Sequence, residues 1–235
     1  MFTKHDQEVA KQIIEGLNLP REFGVQEEDC EFDSDWISYQ IGKVYSGDFS
    51  IANGVSKMVI IPAREDFVIK VPFNGMFHYE WNDEEEDYDY DNPDFYAFSE
   101  AKAPDESDYC WNEVISIEEA AENGFGSLFP KTEFFMEHDG KRYYLQEKVE
   151  VSLGYHPSIS QHSRATAESM DPYYKCGNNE WRAAIVEIYG EDFWTNFVEW
   201  DKLNCMGMLT DMHATNYGYD MLGHPIILDV SGFRD

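Results

Sequence analysis

Basic residues are scarce in this chain, and their scarcity bears on which partners it can bind. The 235 residues include 17 Lys and Arg against 47 Asp and Glu, which gives a formal net charge of -30. A field of that sign repels nucleic acids and anionic membranes, so we expect no direct nucleic-acid binding. It favours basic protein partners or DNA mimicry, although solubility alone is the simpler explanation of the charge. The composition is 43% hydrophobic and 16% aromatic, as in a globular protein rather than a disordered acidic tail.

Closely spaced cysteines and long apolar runs are both missing. Cys30, Cys110, Cys176 and Cys205 are far apart and form no C-x-x-C, which argues against a zinc ribbon or a redox motif. The spacing suggests reduced thiols in a cytosolic protein. No run of about eighteen apolar residues occurs, and the N-terminus lacks the apolar core of a signal peptide. We therefore expect a cytoplasmic protein without a membrane span.

The first half of the sequence predicts a helix followed by short strands. An apolar stripe at Val9, Ile13, Ile14 and Leu17 predicts a helix over residues 3–17. From residue 36 the pattern changes to β-branched and aromatic runs separated by Gly and Pro. These runs predict three antiparallel strands, over residues 36–45, 50–62 and 66–73.

The second half predicts helices around one hairpin. Residues 106–124 read as a helix with Ser107 as N-cap and Gly124 as its stop. Residues 128–151 predict two strands around a D-G turn. Residues 179–208 read as two helices broken near Gly190, and the run "IILDV" reads as a short buried strand. The resulting class is α+β, with a small antiparallel sheet carrying one helix, followed by a helical half.

An acidic insertion interrupts this order. No Lys or Arg occurs between Lys70 and Lys102, while acids accumulate from Glu80 to Glu100. Six aromatic residues alternate with these acids: Trp81, Tyr88, Tyr90, Phe95, Tyr96 and Phe98. The segment is either a solvated surface insertion or a docking surface for a basic partner.

Two stretches near the C-terminus carry the chemistry, "LTDMHATNYGY" and "IILDVSGF". Phosphoryl transfer from ATP requires hard oxygen ligands for Mg²⁺, a cation for the phosphates and a carboxylate that orients the acceptor hydroxyl. Asp211 and Asn216 stand at the two ends of one short loop, and Asp229 ends an apolar strand. Asp211 is thus the candidate catalytic carboxylate, and Asn216 and Asp229 are the candidate Mg²⁺ ligands.

This pattern resembles the catalytic and metal-binding loops of the protein-kinase-like fold. The spacing from Asp211 to Asn216 is similar to that of protein kinases and of the aminoglycoside-phosphotransferase branch, and His213 is more like the second group. Together the two stretches resemble above all the small early serine/threonine kinases of lytic podoviruses. The resemblance implies an ATP-dependent, Mg²⁺-dependent kinase of two lobes, with an antiparallel N-lobe sheet plus one helix and a truncated helical C-lobe.

Other segments fit the same resemblance. "FVIKVPF" matches the strand whose lysine holds the ATP phosphates, which implies that role for Lys70. The following helix implies Glu113 as the partner of that lysine, with Glu118 and Glu119 as competitors. "SGDFSIA" is similar to the glycine-rich nucleotide loop and implies a nucleotide-binding role for Gly47, Asp48 and Ser50. The backbone from Glu147 to Val149 is the implied adenine-binding hinge.

The chain also departs from the family pattern. Leu209 replaces the His expected two residues before Asp211, and "VSGF" follows Asp229 in place of F-G. Six residues follow Asp229, so the activation segment and the distal substrate-binding helices are missing from this sequence.

The resemblance implies three regions and leaves three functions open. We expect an N-terminal helical extension over residues 1–35, an N-lobe over 36–150 with the insertion at about 76–106, and a C-lobe over 151–235. The leading expectation is a serine/threonine kinase acting on basic host proteins, in the bacterial cytoplasm if the source is viral. The alternatives are a pseudokinase that acts by binding a basic host protein, and a small-molecule phosphotransferase.

Overall fold

The chain is organised as two compact units. The computed structural model describes residues 2–26, 34–54, 56–78, 80–82, 87–89, 94–97, 108–151, 179–204, 216–228 and 230. The first unit comprises Met1–Trp111 and Glu133–Gln146. The second comprises Asn112–Thr132 and Glu147–Asp235. The described residues form five α-helices and a five-stranded antiparallel sheet, so the α+β class is confirmed.

The first helix, α1 (Lys4–Gly16), confirms the N-terminal prediction. Its start is a capping box, in which the Asp6 N–H donates to the Thr3 hydroxyl at 3.1 Å and the Thr3 N–H donates to the Asp6 carboxylate at 2.7 Å. Ala10, Ile13 and Ile14 are buried on its apolar face. They share one core with the sheet, so α1 belongs structurally to the first unit.

The second helix, α2 (Ser34–Val44), corrects the strand predicted over residues 36–45. Its buried positions Ile37, Gln40 and Ile41 recur at helical spacing and face the core of the first unit. Val44 lies so close to Gly16 that a Cβ there would stand 2.5 Å from its methyl groups. Contact with α1 therefore favours a helix where aromatic and β-branched composition predicted a strand.

Ten strands of the described residues lie wholly or mainly in the first unit. In chain order they are β1 (Gly24–Gln26), β2 (Phe49–Asn53), β3 (Lys57–Pro62), β4 (Phe67–Pro72), β5 (Gly75–His78), β6 (Trp81–Asn82), β7 (Asp87–Tyr88), β8 (Asp94–Ala97), β9 (Thr132–His138) and β10 (Lys141–Glu147). The run predicted as one strand over residues 50–62 is a pair of strands, β2 and β3, while β4 confirms the strand predicted over 66–73.

The main sheet has the order β2-β3-β4-β10-β9. Phe49 lies opposite Pro62, and Lys57 lies opposite Pro72. The hairpin of β9 and β10 turns at Asp139 and Gly140, whose φ values of 49° and 71° are those of a type I′ turn. The predicted D-G hairpin is therefore confirmed.

The described part of the acidic insertion is built from short strands. β5 pairs with β1 in parallel and with β8 in antiparallel orientation, and β6 pairs with β7. Gly24 has no room for a side chain, because a Cβ would lie 2.0 Å from the Gly75 carbonyl oxygen. Trp81 and Tyr96 are exposed in this segment.

The third helix, α3 (Tyr109–Glu122), confirms the helix predicted over residues 106–124. The predicted N-cap, Ser107, lies outside the described residues. Asp108 takes that role, since its carboxylate accepts from the Trp111 N–H at 3.0 Å. Gly124, at φ +90°, ends the helix in a Schellman motif with the Phe125 N–H bonded to the Ala120 carbonyl.

The second unit contains the remaining elements. After the short 3-10 helix Gly126–Leu128 come β11 (Glu150–Val151), α4 (Asn179–Tyr189), α5 (Glu191–Leu203), β12 (Tyr217–Tyr219) and β13 (Pro225–Ile227). Gly190, at φ +94°, separates α4 from α5 as predicted. Phe125, Phe197 and Ile227 belong to the apolar core of this unit. None of the described helices is long and apolar enough to cross a membrane.

Candidate functional site

The two faces of the main sheet differ in chemistry. On one face the alternate residues Met58, Ile60, Ile69 and Val71 pack into the core with α1 and α2. Side chains alternate between faces along a strand. Lys70 therefore lies on the opposite face. It is buried there, with 4% of its surface exposed.

A second lysine lies on the face of Lys70. Val59 is the partner of Lys70 across β3 and β4, and Lys57 lies two residues before Val59, so both lysines face the same way. Lys57 is also buried, at 4% exposed. Ser50 pairs with Ile61, which places its side chain on this face as well. The structure thus brings two cations and one predicted nucleotide-binding residue onto one side of the sheet.

A buried ion cluster occupies the same face at β10. Tyr143 and Leu145 belong to the apolar core, so Arg142, Tyr144 and Gln146 point to the other face. The Tyr144 hydroxyl donates to the Asp108 carboxylate at 2.5 Å. Burial, this hydrogen bond and the charge of Asp108 all raise the pKa of Tyr144.

Arg142 completes this cluster, which we call the Asp108 clamp and define as Asp108, Arg142 and Tyr144. Its Nη1 lies 3.3 Å from Asp108 Oδ2, an ion pair without hydrogen-bond alignment. The guanidinium also lies over the rings of Trp111 and Phe134, at 5.1 and 4.7 Å from their centroids. The clamp ties the first turn of α3 to strand β10 of the sheet.

Gly47 and Asp48 lie at a junction between α2 and β2. Because residues 36–44 are helical, Gly47 does not follow a strand, and the connection between β2 and β3 instead begins with Gly54. A Cβ on Gly47 would stand 2.5 Å from the Tyr45 ring. The Tyr45 hydroxyl contacts Glu65 at 3.3 Å. Packing under this ring is therefore sufficient to explain a glycine at this position.

The three glutamates of helix α3 that the sequence left as candidates differ in burial. Glu113 is completely buried, Glu119 is partly buried and Glu118 is exposed. A carboxylate at 0% exposure requires compensating partners within the fold. Of the three glutamates, Glu113 is therefore the one whose carboxylate lies inside the fold.

The predicted hinge begins at Glu147, the last residue of β10. The Glu147 N–H donates to the Lys131 carbonyl at 2.8 Å, so a bound base would use other backbone groups of residues 147–149. Val149 packs against Gly218, where a Cβ would lie 2.6 Å from its methyl group. β11 begins directly after Val149 and pairs with β12.

A short hairpin carries the predicted metal-binding residue Asn216. β12 and β13 pair with Tyr217 opposite Ile227. The pairing extends one step further, since the Leu228 N–H donates to the Asn216 carbonyl at 2.7 Å. Asn216 is 5% exposed. In the sequence, Leu228 directly precedes Asp229, the second predicted Mg²⁺ ligand. The hairpin therefore holds the Asn216 backbone beside the residue that precedes Asp229 in the sequence.

The tip of this hairpin is held by Asp220. Its carboxylate accepts from the Leu222 and His224 N–H groups, each at 2.8 Å, and contacts His224 Nδ1 at 2.9 Å. Burial raises the pKa of Asp220, but the hydrogen bonds from His224 and Leu222 outweigh it and leave the pKa below its usual range. The turn is therefore rigidly braced, which fixes the register of β12 and β13.

Three predicted residues, Asp211, His213 and Asp229, lie outside the described residues. Within the described part of the chain no three His, Cys, Asp or Glu side chains are grouped as metal ligands. Comparisons of the chain with protein-family models, curated proteins and solved structures found no match.

Sequence reasoning missed the Asp108 clamp. The signal for the clamp was present in "KRYYLQ", where a strand alternates Arg142, Tyr144 and Gln146 with apolar residues. A polar residue at every second strand position indicates a second face with its own chemistry. Its partner Asp108 could not be identified, because it lies 36 residues away along the chain.

Proposed function

We propose that this protein is an ATP-dependent phosphotransferase, a compact serine/threonine protein kinase acting on basic proteins. The observation that carries the proposal is the placement of Lys70. It lies on the third strand of an antiparallel sheet, on the face turned away from the apolar core, and a helix with one buried glutamate follows. Protein kinases hold the ATP phosphates with a lysine on the third strand, paired with a glutamate of the next helix.

Each residue has one role in this proposal. Lys70 binds the nucleotide phosphates, and Glu113 orients its ammonium group. Asp211 accepts the hydrogen bond of the acceptor hydroxyl and orients it for in-line attack on the γ-phosphorus. Asn216 and Asp229 hold Mg²⁺, which neutralises negative charge on the phosphates when it is bound.

The chemistry of the donor set fits Mg²⁺. This ion prefers hard oxygen ligands and retains several waters, so one carboxylate and one amide oxygen supply enough protein ligands. The backbone pairing of Asn216 with Leu228 supports a site shared by Asn216 and the residue that follows Leu228. Lys57 adds a second cation on the face of Lys70, which offsets the repulsion between ATP and a chain of net charge -30.

The first test is thermal unfolding with and without Mg²⁺-ATP. Ligand at a hundred times its Kd stabilises a folded protein by about 2.7 kcal/mol when it binds only the folded state. We expect this shift in the wild type and its loss in Asp229→Ala. The exposed Glu118 provides a matched control on helix α3, since Glu118→Gln is expected to keep the shift while Glu113→Gln reduces it. An unshifted wild type would contradict the nucleotide site.

Transfer itself is tested with radiolabelled ATP and basic protein substrates such as histones. We expect Asp211→Ala to bind Mg²⁺-ATP like the wild type but to transfer no phosphate. Equal phosphorylation by the wild type and this variant would contradict the role of Asp211.

The second candidate function is binding without catalysis. The exposed aromatic rings of Trp81 and Tyr96, in a segment rich in acids, favour it. In that case Asp211→Ala and Asp229→Ala keep the biological activity, whereas deletion of residues 80–100 abolishes it. In a kinase the two substitutions abolish activity.

A further inference from the structure

A cavity of about 590 Å³ lies in the first unit, apart from the lysine-bearing face of the sheet. Its walls come from the loop between α1 and β1, from the start of α2 and from β5. The apolar and aromatic lining residues are Leu19, Pro20, Phe23, Trp36, Ile37 and Phe77. Its size is that of a typical ligand pocket, and most of its walls are apolar or aromatic.

The loop that forms one wall is fixed although it has no regular secondary structure. Two hydrogen bonds join Asn74 to Phe23. The Asn74 side chain accepts from the Phe23 N–H at 2.8 Å, and the Asn74 backbone N–H donates to the Phe23 carbonyl at 2.9 Å. The Arg21 carbonyl accepts from the Asn74 amide at 3.1 Å and from Lys141 Nζ at 3.0 Å. The cavity is therefore preformed, and binding requires little ordering of its walls.

Trp36 marks the open side of the cavity. Ile37 and Phe23 are each 3% exposed and form its floor, whereas Trp36 keeps 39% of its surface exposed. A partly exposed indole beside a preformed apolar cavity is typical of a site that buries an apolar side chain of a partner.

The cavity is continuous with the acidic segment. Phe77 contributes to its wall and packs against Phe95 of β8, with 4.9 Å between ring centroids and 54° between the ring planes. The exposed Glu80 follows Phe77 by three residues, which is at most about 10 Å along the chain. Asp94, also exposed, is the strand partner of His78. An apolar pocket thus adjoins exposed carboxylates.

The geometry points to a docking site for a basic polypeptide segment that inserts one apolar side chain into this cavity and places its Lys or Arg residues beside the exposed carboxylates of Glu80 and Asp94. A second copy of the chain is disfavoured, because two molecules of net charge -30 repel each other. The inference deepens the second candidate function, because it adds a cavity for an apolar side chain to the acidic segment, and it does not depend on phosphoryl transfer.

The test is fluorescence anisotropy without nucleotide, using a fluorescein-labelled peptide of alternating Lys and Ser with one central Phe. We expect Trp36→Ala to weaken binding about tenfold, the loss that corresponds to about 1.4 kcal/mol. Replacing the peptide's Phe by Ala is expected to weaken binding similarly. Tyr39→Ala is the matched control, because Tyr39 is exposed on the same helix but does not line the cavity. It is expected to bind like the wild type.

The charge requirement has its own variant. Arg21 is the one cation among the described residues that line the cavity, and its contacts to Asn74 and Lys141 use its backbone carbonyl. Arg21→Glu is therefore expected to keep the fold and to bind the basic peptide more tightly. Absence of binding, equal effects of Trp36→Ala and Tyr39→Ala, or equal binding of a peptide with Glu in place of Lys would each overturn the proposal. Because Lys70→Met is expected to bind the peptide normally, failure of docking and failure of nucleotide binding are distinguishable.

Discussion

Replacement of Asp108 by Ala is expected to destabilise the first unit far more than the loss of a helix cap. Asp108 caps α3 through the Trp111 N–H, accepts from the Tyr144 hydroxyl and pairs with Arg142. Loss of an N-cap alone costs about 1 kcal/mol. Removing one partner of a buried ion pair costs about 3–5 kcal/mol, because the remaining charge is buried without compensation.

The structure indicates that the larger figure applies. The side chains of Asp108 and Arg142 are 8% and 11% exposed, so water cannot replace the lost carboxylate efficiently. The Tyr144 hydroxyl is left without its acceptor in a fully buried position. These losses share the same atoms and do not add, so we expect a total of about 3–5 kcal/mol.

Urea unfolding of matched variants measures this loss. Asn caps helices as well as Asp and retains an acceptor for Tyr144, so Asp108→Asn separates the charge from the cap. We expect Asp108→Asn to be more stable than Asp108→Ala, and Tyr144→Phe to lose about 1.5–3 kcal/mol. If Asp108→Ala lost no more than about 1 kcal/mol, the value of a plain cap, the ion cluster would contribute nothing and the reasoning would be refuted.

Two further predictions concern pH and glycine. Because burial raises the pKa of Tyr144 above its ordinary value of 10.0, the folded chain keeps a proton that the unfolded chain releases at alkaline pH. The free energy of unfolding is therefore expected to be unaffected by this group below pH 10 and to fall above it by about 1.4 kcal/mol per pH unit. Urea titrations at several alkaline pH values should show a shallower decline in Tyr144→Phe, and an unchanged decline would contradict the assignment. Gly124→Ala is expected to lose about 1–3 kcal/mol, because φ at Gly124 is +90°, whereas Gly42→Ala, in an exposed and uncrowded helix position, is expected to gain about 1 kcal/mol. Equal effects of the two substitutions on the melting temperature would show that backbone conformation is not the cause.

The sequence predicted the elements whose signals act over a few residues. The stripe at Ile13 and Ile14 predicted α1, the pair Asp139 and Gly140 predicted the hairpin, and Gly190 predicted the break between α4 and α5. In each case the backbone preference of those residues agrees with the fold around them. The local pattern was sufficient because no distant contact opposed it.

Residues 36–45 show where local composition was insufficient. Aromatic and β-branched residues favour strands, and this run contains several of them. Packing against α1 favoured a helix instead, with Gln40 accepting from the Asn18 N–H and Gly16 allowing close approach of Val44. The sequence could not reveal this, because the decisive contacts come from a different helix.

In the candidate site, too, local sequence signals predicted some features and tertiary packing decided the others. The sequence by itself identified Lys70, Glu113 and Asn216 as candidate site residues. Residue type and the order of the motifs along the chain were sufficient for that choice. The tertiary structure decided that Lys70 shares a sheet face with Lys57, that Glu113 is the buried glutamate of its helix, and that Asn216 pairs with Leu228. These facts depend on strand register and burial, which are set by packing between segments that are distant in sequence, and no local pattern encodes them.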